Sequence, residues 1–347
     1  MAQSIILGGR TVGEDHPPFI IAEACINHEG DIAIAREMVV AAKAMGADAV
    51  KFQYHVLEDE MLPAAPKSSN FDEPLWQALE RTNLALSEHK ELKSFCQKTD
   101  IQYLCTPFSK KSADILDQNN LVDYFKVGSG ELTNIPLQRH IASKGKPMIV
   151  STGMSEPSEI LETVTVLNDA KVNYALMHCV SIYPCPPSRM NLGLIPRYKE
   201  QFKVPIGLSD HTASIYTAIG AVALGASIIE KHFTLDRSLP GPDHTSSIEP
   251  DELGQLVEGC RAVFEARGAE RKIFPEEQQI VAWARESVVS VQDIPSGSII
   301  SSEMVTVKRP GPGPGVFPAR ELESVIDSVA LVDISAGKQI LRSEVTK

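Results

Sequence analysis

At 347 residues, the chain has room for a domain of ~250 residues and a smaller one, and its 43% apolar content is enough for a substantial core. The formal net charge is −12 and no basic run is evident, which argues against a nucleic-acid partner, because phosphate backbones are held by concentrated positive charge. An anionic ligand must then be held by local cations against an unfavourable overall field.

The opening MAQSIILGGRTVG lacks the basic region and long apolar stretch of a signal peptide. Its ILGGRTVG portion reads as a small hairpin, expected to plug a barrel floor. Eight short apolar runs follow, at 19–27, 48–53, 101–109, 123–131, 147–153, 173–184, 204–210 and 226–235. Helical patterns separate most of them. IAIAREMVVAAKAMG stops at Gly46, and SEHKELKSFCQKT is expected to be capped by Ser87. Continuous apolar strands alternating with helices predict a parallel sheet covered on both faces. Eight such units predict a (β/α)8 TIM barrel, an α/β fold.

The longest apolar run, 215–229, is too short and too polar in places to span a bilayer, so no membrane partner is expected. The six cysteines make no CxxC pair and several sit in apolar runs. They are expected to be reduced thiols of a cytoplasmic protein.

The barrel, with its hairpin, is assigned to 1–270 and a linker to 271–284. A small, mostly β domain is assigned to 285–347. That domain repeats itself: Asp293-Ile294-x-x-Gly297-x-x-Ile300 recurs as Asp333-Ile334-x-x-Gly337-x-x-Ile340. A Pro/Gly loop opened by Arg309 lies between the copies.

In a (β/α)8 barrel the chemistry lies at the C-terminal strand ends, and side chains two apart on a strand share a face. Those ends carry Glu23; Lys51 and Gln53; Thr106; Lys126, Ser129 and Glu131; Ser151; Ser181 and Tyr183; Ser209 and His211; Glu230 and His232. Asp243 follows in GPDHTSS. His211 and His232 end adjacent strands, joined by a helical stretch from Ala213 to Leu224. Two imidazoles without cysteine suit an open, partly hydrated divalent site, Mn2+ or Mg2+ rather than structural zinc. Lysines inside apolar strands are costly unless paired or functional. With the hydroxyls, Lys51 and Lys126 make a cradle for phosphate or carboxylate. Glu23 is either their ion-pair partner, a general acid/base, or both. His178 lies earlier in its strand and reads as core.

The motifs IAEACINHEGD, AVKFQ, LCTPFS, FKVGSGEL, STGM, HCVSIYP, GLSDHT, EKHFTLDR and GPDHTSS, in this order, resemble those of the sialic (nonulosonic) acid synthases. The tail, with VKRPG, is similar to their antifreeze-like (SAF) domain. The resemblance runs from about Phe19 to the C-terminus. It implies a domain-swapped homodimer and condensation of phosphoenolpyruvate with an acetamido-mannose sugar. C3 of phosphoenolpyruvate would add to the open-chain aldehyde, water would add at C2, and phosphate would leave by C–O cleavage. By motif, His211 and His232 would bind the metal, with Glu23 beside the reacting carbons. Lys51, Thr106, Lys126, Ser129, Ser151 and Ser209 would hold phosphoenolpyruvate. Gln53, Glu131, Ser181, Tyr183 and Asp243 would form the sugar pocket, and Arg309 would reach in from the partner subunit. Ser181 stands where some N-acetylneuraminate synthases carry Asn, so the sugar is either N-acetylmannosamine or 2,4-diacetamido-2,4,6-trideoxymannose. The 61–83 loop has no assigned contacts. The alternative reading is a Schiff-base aldolase or lyase on the same barrel, with Lys126 as nucleophile.

Overall fold

The computed structural model describes residues 4–64 and 73–346. The chain divides into two compact units, 1–268 and 269–347.

The first unit opens with an antiparallel hairpin, β1 (Ser4–Leu7) and β2 (Arg10–Gly13). Eight strands follow: β3 (Phe19–Cys25), β4 (Ala49–Tyr54), β5 (Gln102–Pro107), β6 (Phe125–Val127), β7 (Met148–Ser151), β8 (Tyr174–Cys179), β9 (Ile206–Asp210) and β10 (Ile228–His232). Their hydrogen-bonded order is β5-β4-β3-β10-β9-β8-β7-β6. Every ladder is parallel. The first strand of the eight pairs with the last, and β5 and β6, the two ends of the order, run side by side. This is the expected (β/α)8 barrel. All eight apolar runs became strands, seven of them shorter than their runs because the polar residues at the run ends lie in turns; the run at 48–53 keeps its length as Ala49–Tyr54, shifted by one residue.

Strand parity explains the layering. Phe19, Ile21, Ala49, Leu104, Tyr124, Ile149, Ala175, Met177 and Ile228 form the lower barrel interior, and Ile5, Leu7 and Val12 of the hairpin pack into it. The hairpin is thus the floor plug. Alternate residues such as Ile20, Ala22, Val50 and Phe52 face the other way, into the core shared with the surrounding helices. Following the inward parity upward, Phe19 and Ile21 lead to Glu23, Ala49 to Lys51, Tyr124 to Lys126, and Ile228 to Glu230 and His232. A burying interior therefore delivers a polar layer to one end. Gly207 takes an inward position, where a Cβ would lie 2.3 Å from the Met177 sulfur, so Met177 fills the space a side chain would need.

Helix boundaries follow capping chemistry. The helix Ile32–Ala44 starts on Asp31, whose carboxylate accepts from the Ala33 N–H at 2.7 Å, and Gly46 follows its end at φ +85°. The helix expected to be capped by Ser87 runs over Leu86–Thr99, with Ala85 at the cap and Ser87 inside the first turn. Starting earlier puts Glu88 at the third helical position, where it accepts from the Ala85 N–H at 2.7 Å. The helix between the two rim histidines is likewise shorter than expected, Tyr216–Ala223. The preceding residues turn instead, since Asp210 accepts from the Thr212 N–H at 2.8 Å. Within the 61–83 segment, Leu75–Thr82 is helical, and residues 65–72 lie outside those described.

The second unit contains two antiparallel pairs, β11 (Ser287–Ser290) with β12 (Val305–Lys308) and β13 (Val329–Ala330) with β14 (Val345–Thr346). The helix Gln278–Ala284, within the segment assigned as linker, belongs to this unit. The sequence repeat is realised as reciprocal bonds. Asp333 accepts from the Ser296 N–H and Asp293 from the Ala336 N–H, each at 2.8 Å. Ile294 and Ile334 exchange backbone hydrogen bonds at 2.8 and 2.9 Å. Ile300 and Ile340 meet in the common core.

All six cysteines are buried and free. Among the described residues, no helix is long and apolar enough to cross a membrane.

One core histidine makes a pH prediction. His89 is fully buried, with Nδ1 2.7 Å from the Tyr103 hydroxyl. Burial, reinforced by His28 and His55, pushes its pKa down to about 3. The unfolded chain takes this proton near the ordinary histidine value and the folded chain does not. Stability therefore falls as pH drops below about 6.5, by about 2 kcal/mol at pH 5 from this group. His89→Gln keeps a partner for Tyr103 but cannot charge. Its melting temperature should fall less between pH 7 and 5 than that of the parent; equal falls would show that His89 does not set the acid sensitivity.

Candidate active site

A cavity of about 950 Å³ opens at the C-terminal ends of the barrel strands. Fourteen expected site residues lie in the barrel unit. Glu23, Gln53, Thr106, Lys126, Ser129, Glu131, Ser151, Ser181, Tyr183, Ser209, His211, His232 and Asp243 line the cavity. Lys51 lies just beneath, paired to two of its carboxylates. Arg309 lies in the second unit, with its Nε donating to the Ala284 carbonyl at 3.1 Å and its guanidinium over Trp283. His178 is outside the cavity, bonded to the Met190 carbonyl at 2.5 Å, as its core reading requires.

The cavity floor is a buried charge cluster. Lys51 Nζ lies 2.5 Å from Glu23 Oε2 and 2.7 Å from Glu230 Oε2. Lys126 Nζ lies 3.6 Å from Glu230 Oε1 and donates to Ser151 Oγ at 2.8 Å. Ser209 donates to Glu230 Oε1 at 2.9 Å. The registers Glu23↔Lys51, His232↔Glu23 and Glu230↔Ser209 set these groups at neighbouring levels. Burial pushes the Lys51 ammonium down to about 7, with Glu230 opposing the shift and Lys126 adding to it. Burial also works against charge on Glu230, but Lys126 and Lys51 overcome it and hold its carboxyl well below the usual range. Glu23 is the expected ion-pair partner, and its other oxygen accepts from the Cys25 N–H at 2.8 Å. That contact falls where β3 bulges and Cys25 turns to φ 49°.

Ser129 and Glu131 follow β6 on a turn of 3₁₀ helix, Ser129–Glu131, beyond the strand itself. Ser129 Oγ accepts from the Gly153 N–H at 3.1 Å. A Cβ at Gly153 would lie 2.5 Å from Ser181 Oγ, 2.7 Å from Ser129 Oγ and 3.0 Å from Cys179 Sγ, so only glycine lets these three groups converge. Burial raises the Glu131 carboxyl to about 7, Lys126 opposing.

The two imidazoles meet at the other side of the cavity, with ring centroids 5.3 Å apart and the Tyr183 ring 4.1 Å from His211. His211 Nδ1 lies 2.8 Å from the Val180 carbonyl, which can only accept, so in the neutral ring Nε2 keeps the lone pair. Burial lowers His232 to about 4, and its Nδ1 is buried without a partner. A buried, neutral, unpartnered ring nitrogen is a donor set seeking an acceptor. Asp243 and Cys25 offer ligand atoms within 4.8 Å of that of His232, and Cys25 donates its thiol to Asp243 at 3.0 Å. The two imidazoles and the Asp243 carboxylate are nitrogen and oxygen donors of the kind a divalent cation takes, while the Cys25 sulfur is engaged as a thiol with Asp243.

Several site residues had no assigned role in the sequence. Glu230 stands two before His232, so its inward parity was readable, but only the fold shows it between two lysines. Cys179 lies 3.9 Å from His211 Nδ1. Burial disfavours its thiolate, yet the His211 imidazole overrides that and brings it down to about 7. His55 and Glu60 form a buried pair at 2.8 Å, beyond the reach of strand-end reasoning because both follow β4.

Comparison with known proteins agrees with this architecture. The NeuB family model matches residues 38–272 and the SAF domain model residues 285–346. The chain is 41% identical to the N,N'-diacetyllegionaminic acid synthase of Campylobacter jejuni over 304 residues, spanning 85% of this chain and 91% of that protein. It is 36% identical to the N,N'-diacetyllegionaminic acid synthase of Legionella pneumophila over 348 residues, 97% of each. The crystal structure of N-acetylneuraminic acid (sialic acid) synthetase from Leptospira borgpetersenii, a complex with citrate, matches with a TM-score of 0.72 at 35% identity, covering 81% of this chain and 96% of that one. The chain belongs to the NeuB family, the nonulosonic acid synthases, with a SAF domain following its barrel.

Proposed function

We propose that the chain condenses phosphoenolpyruvate with 2,4-diacetamido-2,4,6-trideoxymannose to give N,N'-diacetyllegionaminate and phosphate. The observation that carries the chemistry is one cavity with a buried lysine–hydroxyl cradle and an imidazole pair, joined in register through Glu23. The choice of sugar is supported by the relatives named as legionaminic acid synthases and by the small Ser181 side chain in the cavity wall.

In this reading, Lys51, Lys126, Thr106, Ser129, Ser151 and Ser209 hold phosphoenolpyruvate. Their charges and hydroxyls offset the unfavourable field of a chain with net charge −12. C3 of phosphoenolpyruvate bonds to the aldehyde carbon, water adds at C2, and the C2–O bond breaks to release phosphate. Glu23 lies beside the reacting carbons and exchanges a proton there or stabilises the tetrahedral intermediate. Gln53, Glu131, Ser181, Tyr183 and Asp243 orient the sugar. His211 and His232 would hold a manganese or magnesium ion, which would polarise the sugar aldehyde. The proposal includes a domain-swapped homodimer in a cytoplasmic setting, in which the second subunit supplies its copy of Arg309 to the sugar's N-acetyl group.

The test is phosphate release by EDTA-treated protein given phosphoenolpyruvate and either the diacetamido sugar or N-acetylmannosamine, with and without manganese. Manganese-dependent release with the diacetamido sugar is expected. Release only with N-acetylmannosamine would reassign the sugar. Release with neither, in folded and metal-loaded protein, would sink the condensation. Borohydride trapping at Lys126 would then examine the Schiff-base alternative.

A further inference from the structure

Beyond β4 the cavity wall contains a line of hydrogen bonds that the mechanism above does not use. Glu60 Oε1 lies 2.8 Å from His55 Nδ1, and both side chains are only 4% exposed. His55 Nε2 lies 3.0 Å from Gln53 Oε1. Gln53 Nε2 donates to Cys25 Sγ at 2.8 Å, and Cys25 donates onward to Asp243 at 3.0 Å. Asn83 fixes the backbone of His55, its amide donating to the His55 carbonyl at 3.0 Å.

The donor inventory decides the direction of each bond. Cys25 has one S–H, and Asp243 takes it. The Cys25 sulfur can then only accept from Gln53, so the Gln53 amide presents NH₂ to the sulfur and its carbonyl to His55. The Glu60 carboxylate and the Gln53 carbonyl both accept, so both nitrogens of His55 donate. The ring so held between Glu60 and Gln53 lies stacked on Phe108, centroids 4.4 Å apart and planes 17° apart. Without Glu60, His55 is no longer held as a donor to the Gln53 carbonyl, and the weak contact to the Cys25 sulfur is left alone to orient the amide.

We propose that Glu60 and His55 are positioning residues that lock the Gln53 amide, so that Gln53 meets the sugar as a hydrogen-bond donor to one of its oxygens. This rests on the proposed condensation, in which Gln53 is a sugar contact. It extends that reading by naming what fixes the contact and which partner chemistry the contact accepts.

The experiment measures KM for each substrate in Glu60→Gln, Gln53→Ala and the double variant, with melting curves to verify folding. Glu60→Gln should raise the sugar KM roughly tenfold, with the phosphoenolpyruvate KM within about twofold of the parent. In the Gln53→Ala background it should add no more than about twofold, because two residues acting through one amide are not additive. Glu60→Asp keeps the carboxylate and should lose less than Glu60→Gln. An unchanged sugar KM, an equal rise in both KM values, or additive effects in the double variant would overturn the positioning role. If Glu60→Gln does not fold, His55→Gln takes its place with the same expectations. Parent protein that releases phosphate with neither sugar would instead indict the function reading, and the inference falls with it.

Discussion

Glu230→Gln is expected to lower the melting temperature of the barrel by roughly 6 °C or more and to abolish measurable condensation. Glu230 is 4% exposed and touches Lys51, Lys126 and Ser209 at once. Removing one partner of a buried ion pair costs about 3–5 kcal/mol, because the remaining charge has neither water nor counter-charge. Here two ammonium groups compete for what is left, and only Glu23 remains beside Lys51. The same loss makes the cradle more cationic, so added inorganic phosphate should recover more melting temperature in the variant than in the parent. Calorimetric melting with and without phosphate reads both effects. A variant that melts like the parent would show that the cluster does not depend on Glu230. A variant that melts lower but gains nothing extra from phosphate would show that the lysines are not free to hold an anion.

This cluster also marks where sequence reasoning ended. The barrel was legible because eight apolar runs with helical spacers leave few other solutions, and the floor plug because a Gly-Gly turn between two short apolar strands has little else to do. Lys51 and Lys126 were legible as site residues because an ammonium inside an apolar strand needs a reason. Their shared partner was not, since Glu23 and Glu230 are more than 200 positions apart and become neighbours only when β10 pairs with β3. The Ser87 cap failed for a local reason: Glu88 could serve a start two residues earlier, and propensity alone does not choose between two registers of one motif. Ser129 and Glu131 reach the cavity from a 3₁₀ turn, where alternation along a strand no longer tells which side chains share a face. His55 and Glu60 lie in such a region too, so their chain to Gln53 emerges only from side-chain geometry.

Gly153→Ala tests whether that geometry matters more than the identities of the charged groups. Gly153 follows β7 and carries no chemistry, and its φ raises no obstacle to alanine. The obstacle is space. A methyl group there would lie 2.5 Å from Ser181 Oγ and 2.7 Å from Ser129 Oγ, well inside contact distance, so both hydroxyls or the β7 end must move by about an ångström. Ser129 belongs to the proposed phosphoenolpyruvate cradle and Ser181 to the sugar wall, and a shift of that size in positioning groups is worth about a hundredfold in rate. The variant should therefore fold, keep its far-ultraviolet spectrum, and lose about a hundredfold in kcat/KM for both substrates. Adding Ser181→Gly removes the nearer hydroxyl and should return part of that loss, preferentially on the phosphoenolpyruvate side where Ser129 can settle back. Full activity in Gly153→Ala would mean that the cradle adapts to the methyl group, and that the convergence of Ser129, Cys179 and Ser181 on this glycine is packing without consequence for the reaction.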